Sequence, residues 1–385
     1  MLANELLVYL APSNVTGKYP FAEKKHCFGS QVLMLHDHPD SPIRPGDVFI
    51  IGIESIDSDS VTNNIRQMLW GLSSIPYPKG RFFDAGNISA TLTLAQQYQV
   101  VESISALIAE SKSHLILLGG TQEFISRVYA GWKQSQNLIR MAIIDSKIDW
   151  DGNNNDFHHD NFVNTIIDEP YDKLLDLSFI GIQGYFTPQH ALQKVLRRKH
   201  EYIRLGNLRG NIREAEPTLS DANLVSIDMA VVRASDAPAT AIDNPNGLYA
   251  EEICLLSRYA GIGQNSKFLG ICGFKPLSPE QTLMLAAQVL WHYIEGVSHR
   301  KTENPIKNLP HNKKYVVSTE VQNVEMIYYR NELSGNWWFE LPVNNKKRLL
   351  RGKLLVRCNA SDYTQASNGE IPQRWLRWYQ KAQKI

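Results

Sequence analysis

Over the first 300 positions, short unbroken apolar runs alternate with longer stretches in which apolar residues recur every three or four positions. The runs 47–53 (DVFIIGI), 113–120 (SHLILLGG), 141–144 (MAII), 177–184 and 224–228 read as strands buried on both faces, as in a parallel sheet. FFDAGN (82–87) reads as a further short strand and turn. Between them, 62–72 sets Ile65, Met68, Leu69 and Leu72 on one helical face. Residues 89–110 give a long amphipathic helix, and TQEFISRVYAGW another, with Thr121 as its cap. Further helices fall at 247–261 and 279–297, whereas 1–45 is irregular, with scattered Pro and Gly. Strand–helix alternation on this scale predicts a mostly parallel, doubly wound sheet with helices on both faces, an α/β fold of three layers.

Composition changes that picture only at the end of the chain. The 385 residues are 43% hydrophobic and 21% charged, as in an ordinary globular protein. There is no apolar run long enough to span a membrane, and the opening MLANELLVYL lacks the basic start of a signal peptide. Four cysteines (Cys27, Cys254, Cys272, Cys358) lie far apart without metal-finger spacing. A cytoplasmic location is expected. The net charge of +1 hides an asymmetry: residues 301–385 hold 15 Lys+Arg against 7 Asp+Glu, leaving 25 against 32 for the rest. That tail also carries Trp337, Trp338, Trp375 and Trp378, four of the eight tryptophans. The division is therefore an irregular segment 1–45, an α/β domain 46–300 and a basic, Trp-rich extension 301–385. Without a nucleic-acid-binding motif, the basic tail points to docking on the acidic body or to a protein partner rather than to nucleic acid. Homo-oligomerisation stays open.

The candidate chemistry begins in MAIIDSKIDW (141–150), where Asp145, Lys147 and Asp149 follow a buried strand at i, i+2, i+4. Ligands of open α/β sheets bind at the carboxyl ends of strands. In an extended segment this spacing points all three side chains one way. Two neighbouring carboxylates need a cation between them, either a metal or the lysine. Solvated strand-end charges are the plainer alternative. HDHPD (36–40) and DFHHD (156–160) are rival clusters, the first reading as turn chemistry and the second as a loop able to overhang the same pocket. GxSxG, P-loop and GxGxxG fingerprints are absent.

LLGGTQEF, IIDSKIDWD, SFIGIQGYFTP and VSIDMAVVRASDAPATAIDNPNGLYAEEI follow one another in that order. Together they resemble the ureohydrolase family (arginase, agmatinase, formimidoylglutamase), most nearly its formimidoylglutamase-like branch, over about residues 45–300. The resemblance implies the three-layer arginase-like α/β/α fold and, in typical members, two Mn²⁺ ions held by six ligands. The family's GGDHS falls on 119–123, placing Gln122 at a histidine ligand. DAHxD falls on 145–149, retaining Asp145 and Asp149 but putting Lys147 at the other histidine. SxDxD falls on 226–230, keeping Asp228 and leaving Ala230 at the second aspartate. The glutamate that holds the substrate's guanidinium-like group matches Glu252. The proton-shuttling histidine has no secure counterpart, because counting lands on Phe162, near His158 and His159.

The losses implied by the resemblance fall on one metal. Gln122, Asp145, Asp149 and Asp228 can all offer oxygen to a single divalent ion (Mg²⁺, Mn²⁺ or Ca²⁺). Lys147 and Ala230 have no lone pair for the second. A dinuclear Mn centre is therefore not expected, and the sequence is consistent with no cofactor at all. Lys147 reads as a built-in replacement for the missing cation. The reading is a catalytically inactive ureohydrolase-fold protein with a binding or scaffolding role. Its alternative is an active hydrolase of a linear amidine C–N bond using one metal or an atypical centre.

Overall fold

The computed structural model describes residues 3–15, 24–54, 61–135, 138–150, 157–167, 173–318, 325–343 and 353–383. Nine strands form one sheet: β1 (Val32–Met34), β2 (Val48–Ile53), β3 (Phe82–Ile88), β4 (His114–Gly119), β5 (Ile139–Ile144), β6 (Leu174–Ile182), β7 (Glu201–Arg204), β8 (Leu224–Asp228) and β9 (Phe268–Cys272). Their order is β1-β3-β2-β4-β9-β8-β5-β6-β7, and every pairing is parallel. The strand order puts the ends of β4, β9, β8 and β5 side by side at the centre of the sheet.

The apolar runs are buried on both faces, with all residues of β2, β3, β6 and β9 inside. Alternate residues feed two cores. Val48, Ile50, Ile116 and Ile144 pack with the helices Val61–Gly71, Ala250–Ile262 and Glu280–Ser298. Phe49, Ile51, Leu115 and Leu117 pack with Leu94–Ser111, Phe124–Ser135 and Gln189–Arg197. The three-layer α/β/α arrangement follows from this two-sided burial.

Several details differ from the pattern reading. The 1–45 segment contributes β1, which pairs with β3 at the sheet edge. The edge strand β7 is too polar (EYIR), and β9 too short and too close to glycine, to stand out as apolar runs. The long helix starts at Leu94, where Thr93 and Gln96 form a capping box. Thr121 is not a cap: the next helix begins at Phe124, and the Thr121 hydroxyl donates to Glu123 Oε1 at 2.6 Å. All four cysteines are buried and free. No described helix is long and apolar enough to cross a membrane.

The tail folds into an antiparallel sheet of β10 (Asn312–Ser318), β11 (Glu325–Asn331), β12 (Trp337–Pro342) and β13 (Lys353–Cys358), followed by helices Ala360–Ser367 and Gln373–Ala382. Trp337, Phe339, Trp375 and Trp378 share its core with Leu175 of the body. The last helix turns its cations onto the acidic body. Arg377 Nη1 lies 2.8 Å from Asp176 Oδ1, Lys381 pairs with the same carboxylate, and Arg374 Nη2 reaches Glu214 Oε2 at 3.2 Å. The Arg140 guanidinium sits 5.0 Å over the Trp378 ring. Burial alone would raise Asp176, but Arg377 and Lys381 hold it well below the usual carboxylate range. Beneath them, His200 Nδ1 accepts from the Leu177 N–H at 3.1 Å. Burial, then the Lys381 ammonium, lower His200 to about 4 against the pull of Asp176.

Asp176→Asn should leave buried Lys381 without a carboxylate and Arg377 with Glu201 alone, costing roughly 3–5 kcal/mol. Urea unfolding should report the loss, and limited proteolysis should cut the tail first. His200 predicts an acid limb. Its folded pKa lies below the unfolded value of 6.5, so its contribution is full above pH 6.5 and lost as pH falls toward 4, about 3 kcal/mol in all. His200→Asn, which retains an acceptor for the Leu177 N–H, should lose less stability than the parent across that window.

Candidate functional site

The carboxyl ends of β4, β5 and β8 bring the central residues together. Gly119 and Gly120, both at positive φ (78° and 66°), turn the chain sharply after β4, where a Cβ on Gly119 would lie 2.8 Å from the Ile53 carbonyl. The turn delivers Gln122 and Glu123, both buried. With its amide nitrogen toward Asp145, the orientation that satisfies both ends, Gln122 donates to Asp145 Oδ2 at 3.0 Å and accepts from the Asp228 N–H at 3.3 Å. Gln122 thus ties β5 to β8.

Asp145 accepts through Oδ1 from the Ser146 N–H and, at 3.2 Å, from the Ser146 hydroxyl. Asp228 Oδ1 accepts from the Ala230 N–H at 2.8 Å. The Asp228 carboxylate lies against Gly273 (φ 83°), where a Cβ would come within 2.1 Å of Oδ1. Lys147 Nζ sits 2.8 Å from Asp149 Oδ1 and also pairs with Asp160. Its side chain is 27% exposed, against 6% for Asp149. The ammonium therefore lies at the mouth of the cluster rather than in open solvent.

The electrostatics follow from burial. Burial, then the neighbouring Asp228 and Asp149, push Asp145 well above the usual carboxylate range, with Lys147 opposing. Burial also raises Asp228, against the Ala230 N–H and Lys147. Asp149 rises to about 6, burial outweighing the attraction of Lys147. Although burial alone would lower Lys147, Asp149 and Asp160 raise it, so it stays an ammonium.

Among the residues singled out from the sequence, Gln122, Asp145, Asp149, Asp228 and Lys147 converge. They do not form a ready ligand shell: among the described residues, only His158, His159 and Asp160 bring three ligand-type atoms within 4.8 Å of one another, and all three are exposed. At the positions the resemblance matches to metal ligands, Lys147 offers only N–H donors, and Ala230 offers Asp228 a backbone N–H. These two residues do not fit a dinuclear metal centre. Glu252 Oε2 accepts from the Tyr249 N–H at 2.8 Å, closing a capping box at the start of Ala250–Ile262.

One acid, Glu123, was missed, whereas Asp160 comes from the DFHHD loop singled out above. Glu123 is buried, accepts from Tyr98 OH at 2.9 Å and leaves Oε2 without a partner. Its position directly after Gln122 was the available signal. Asp160 belongs to the DFHHD loop and reaches Lys147, although Asp156 lies outside the described residues. HDHPD is a turn in which His36 Nε2 lies 3.2 Å from the Leu10 carbonyl.

A parallel sheet with clustered acids at its central carboxyl ends defines an arginase-like α/β protein. The chain belongs to the Arginase family, which it matches over residues 42–295. Formimidoylglutamase from Bacillus subtilis superimposes with a TM-score of 0.63 at 17% identity, covering 78% of this chain and 99% of that one. A Trypanosoma cruzi formiminoglutamase variant with Mn²⁺ gives 0.60 at 19%, over 66% and 94%. Agmatine ureohydrolase of Thermoplasma volcanium gives 0.56 at 19%, over 72% and 95%. At these identities the likeness is one of fold. No curated protein matches the chain by sequence.

Lys147→Met removes the cation facing Asp149 and keeps the volume. In chelator it should destabilise the protein by about 3 kcal/mol, the low end for a broken buried pair because the lysine is partly exposed. Added Mg²⁺ or Mn²⁺ should restore part of the loss. An unchanged melting temperature in chelator would count against any charge-balancing role.

Proposed function

We propose that this chain is a ureohydrolase-fold protein whose catalytic metal centre has been replaced by internal polar contacts, and that it works by binding or scaffolding rather than by hydrolysis. The observation that carries this reading is the Lys147 ammonium, 2.8 Å from Asp149 at a position the resemblance assigns to a metal-ligating histidine. Two further contacts support it: Gln122 joins Asp145 to Asp228, and the Ala230 N–H occupies an Asp228 oxygen. Cleavage of an amidine carbon at neutral pH calls for a hydroxide made available by metal-bound water, whose pKa falls to about 7. Lys147 and Ala230 supply no ligand atoms for the second ion.

A second reading keeps one ion. Asp145 and Asp149 are buried and Asp228 is half-buried, and burial raises all three carboxyls although Lys147 opposes it. A single hard ion there would suit an atypical amidine hydrolase.

Elemental analysis of the purified protein separates the readings: no Mn, or at most one divalent ion per chain, is expected, and about two Mn per chain would overturn the proposal. Arginine, agmatine and formimidoylglutamate should show no turnover above background with Mn²⁺ added, whereas rates on the order of 1 s⁻¹ would mark an enzyme. The combination Gln122→His, Lys147→His and Ala230→Asp should recover metal binding before catalysis, because the loop around His158 also differs from the family's.

A further inference from the structure

We propose that the opposite, amino end of the sheet carries a binding site for a small oxyanion of the phosphate class, built from His114, Lys267 and Arg300. β4 and β9 are parallel neighbours with Leu115 beside Phe268, which sets the residues before them, His114 and Lys267, side by side. Lys267 Nζ lies 3.4 Å from His114 Nε2 and donates to the Lys112 carbonyl at 3.1 Å. Arg300 follows the helix Glu280–Ser298. It brings Nη1 to 3.4 Å from His114 Nδ1 and donates through Nε to the Gly261 carbonyl. Lys79 donates to the Arg300 carbonyl, adding a further ammonium nearby.

This group has no counter-charge. Among the described residues no carboxylate oxygen lies within 4.0 Å of the Lys267 or Arg300 side-chain nitrogens, and Asp47, just before β2, is engaged by Arg81 at 2.6 Å. The side chains that favour charge on Arg300 are those of Tyr293 and Tyr77, neither of them a carboxylate. Arg300 Nη2 is buried without a hydrogen-bond partner. Burial, then Arg300 and Lys112, lower Lys267 to about 8, and burial with the two cations pushes His114 well below its ordinary value. A guanidinium does not shed its proton to relieve such a clash. Every other buried guanidinium–acid pair named above has its carboxylate, so the missing partner here is an anion from solution.

The chemistry selects an oxyanion. A guanidinium fork matches two oxygens of a phosphate or carboxylate, an ammonium adds a point charge, and a neutral imidazole can donate one N–H. Tetrahedral phosphate can meet all three from different directions. The site is separate from the acidic crevice, since β4 puts roughly 17 Å between His114 and Gly119. It also lies where the body passes into the tail, beside the turn in which the Glu303 N–H donates to Gln264 Oε1 at 3.1 Å.

The test is binding of inorganic phosphate to the full chain, by calorimetry and by thermal unfolding against chloride of equal ionic strength. One phosphate per chain should bind, with a saturable rise in melting temperature, and sulfate should compete. Lys267→Met should weaken phosphate binding by roughly tenfold or more. In phosphate-free buffer it should melt no lower than the parent, because it removes one of two facing cations. That combination separates a site from a merely structural lysine. Arg300→Met should also lose the anion response, and calorimetry reads this even if its lost bond to Gly261 lowers stability. A parent that responds to phosphate no more than to chloride would overturn the site, as would a Lys267→Met protein that responds equally.

Discussion

A charge taken out of water must find a counter-charge or hydrogen bonds within a few ångströms, and this protein is organised by how it meets that demand. Arg66 shows the solved case. Fully buried on Val61–Gly71, it meets Asp84 Oδ1 at 3.1 Å, Asn87 Oδ1 at 2.7 Å and the Gly86 carbonyl at 2.8 Å, pinning that helix to β3. Asp176 does the same between body and tail. The acidic crevice meets the demand only in part, with one ammonium for several carboxyls, and among the described residues no acid pairs with Lys267 or Arg300 of the His114 group.

The crevice therefore carries information beyond its list of residues. Burial raises the proton affinity of Asp145 and Asp228, and Lys147 opposes that rise only in part. Gln122 offers one donor and one acceptor, which suits a neutral or hydrogen-bonded pair of strand ends better than it suits a soft metal. Lys147 stands at the rim, shared between Asp149 and Asp160, so the loop after β5 is anchored by charge where a hydrolase would keep an open coordination position. Fold membership leaves activity undecided, and the chemistry of the donor set, Lys147 and Ala230 included, is what bears on it.

The tail repeats the theme on a larger scale. On its last helix the basic residues Arg374, Arg377 and Lys381 are spent on Glu214, Glu201 and Asp176 of the body. The tryptophans that accompany them are buried: Trp375 and Trp378 belong to the tail's own core, and Arg140 of the body lies over Trp378. Charge asymmetry along a sequence can thus be the signature of two parts of one molecule pairing with each other.

The parallel sheet was legible because a strand buried on both faces must be apolar throughout, and MAII, HLILLG and VFIIGI are. The meeting of Gln122, Asp145, Lys147, Asp149 and Asp228 was legible because their motifs keep a familiar order along the chain. Edge strand β7 and the short β9 were not, since an edge needs little apolarity and five residues around a glycine carry a weak pattern. The motif gave Glu252 a place beside a substrate, and the fold gives it the further task of capping a helix. Asp160, Glu123 and the group formed by His114, Lys267 and Arg300 come from loops and strand starts far apart in sequence. Local pattern reports which face of an element is buried. Which distant charges meet depends on strand order and register, and only the tertiary structure sets those.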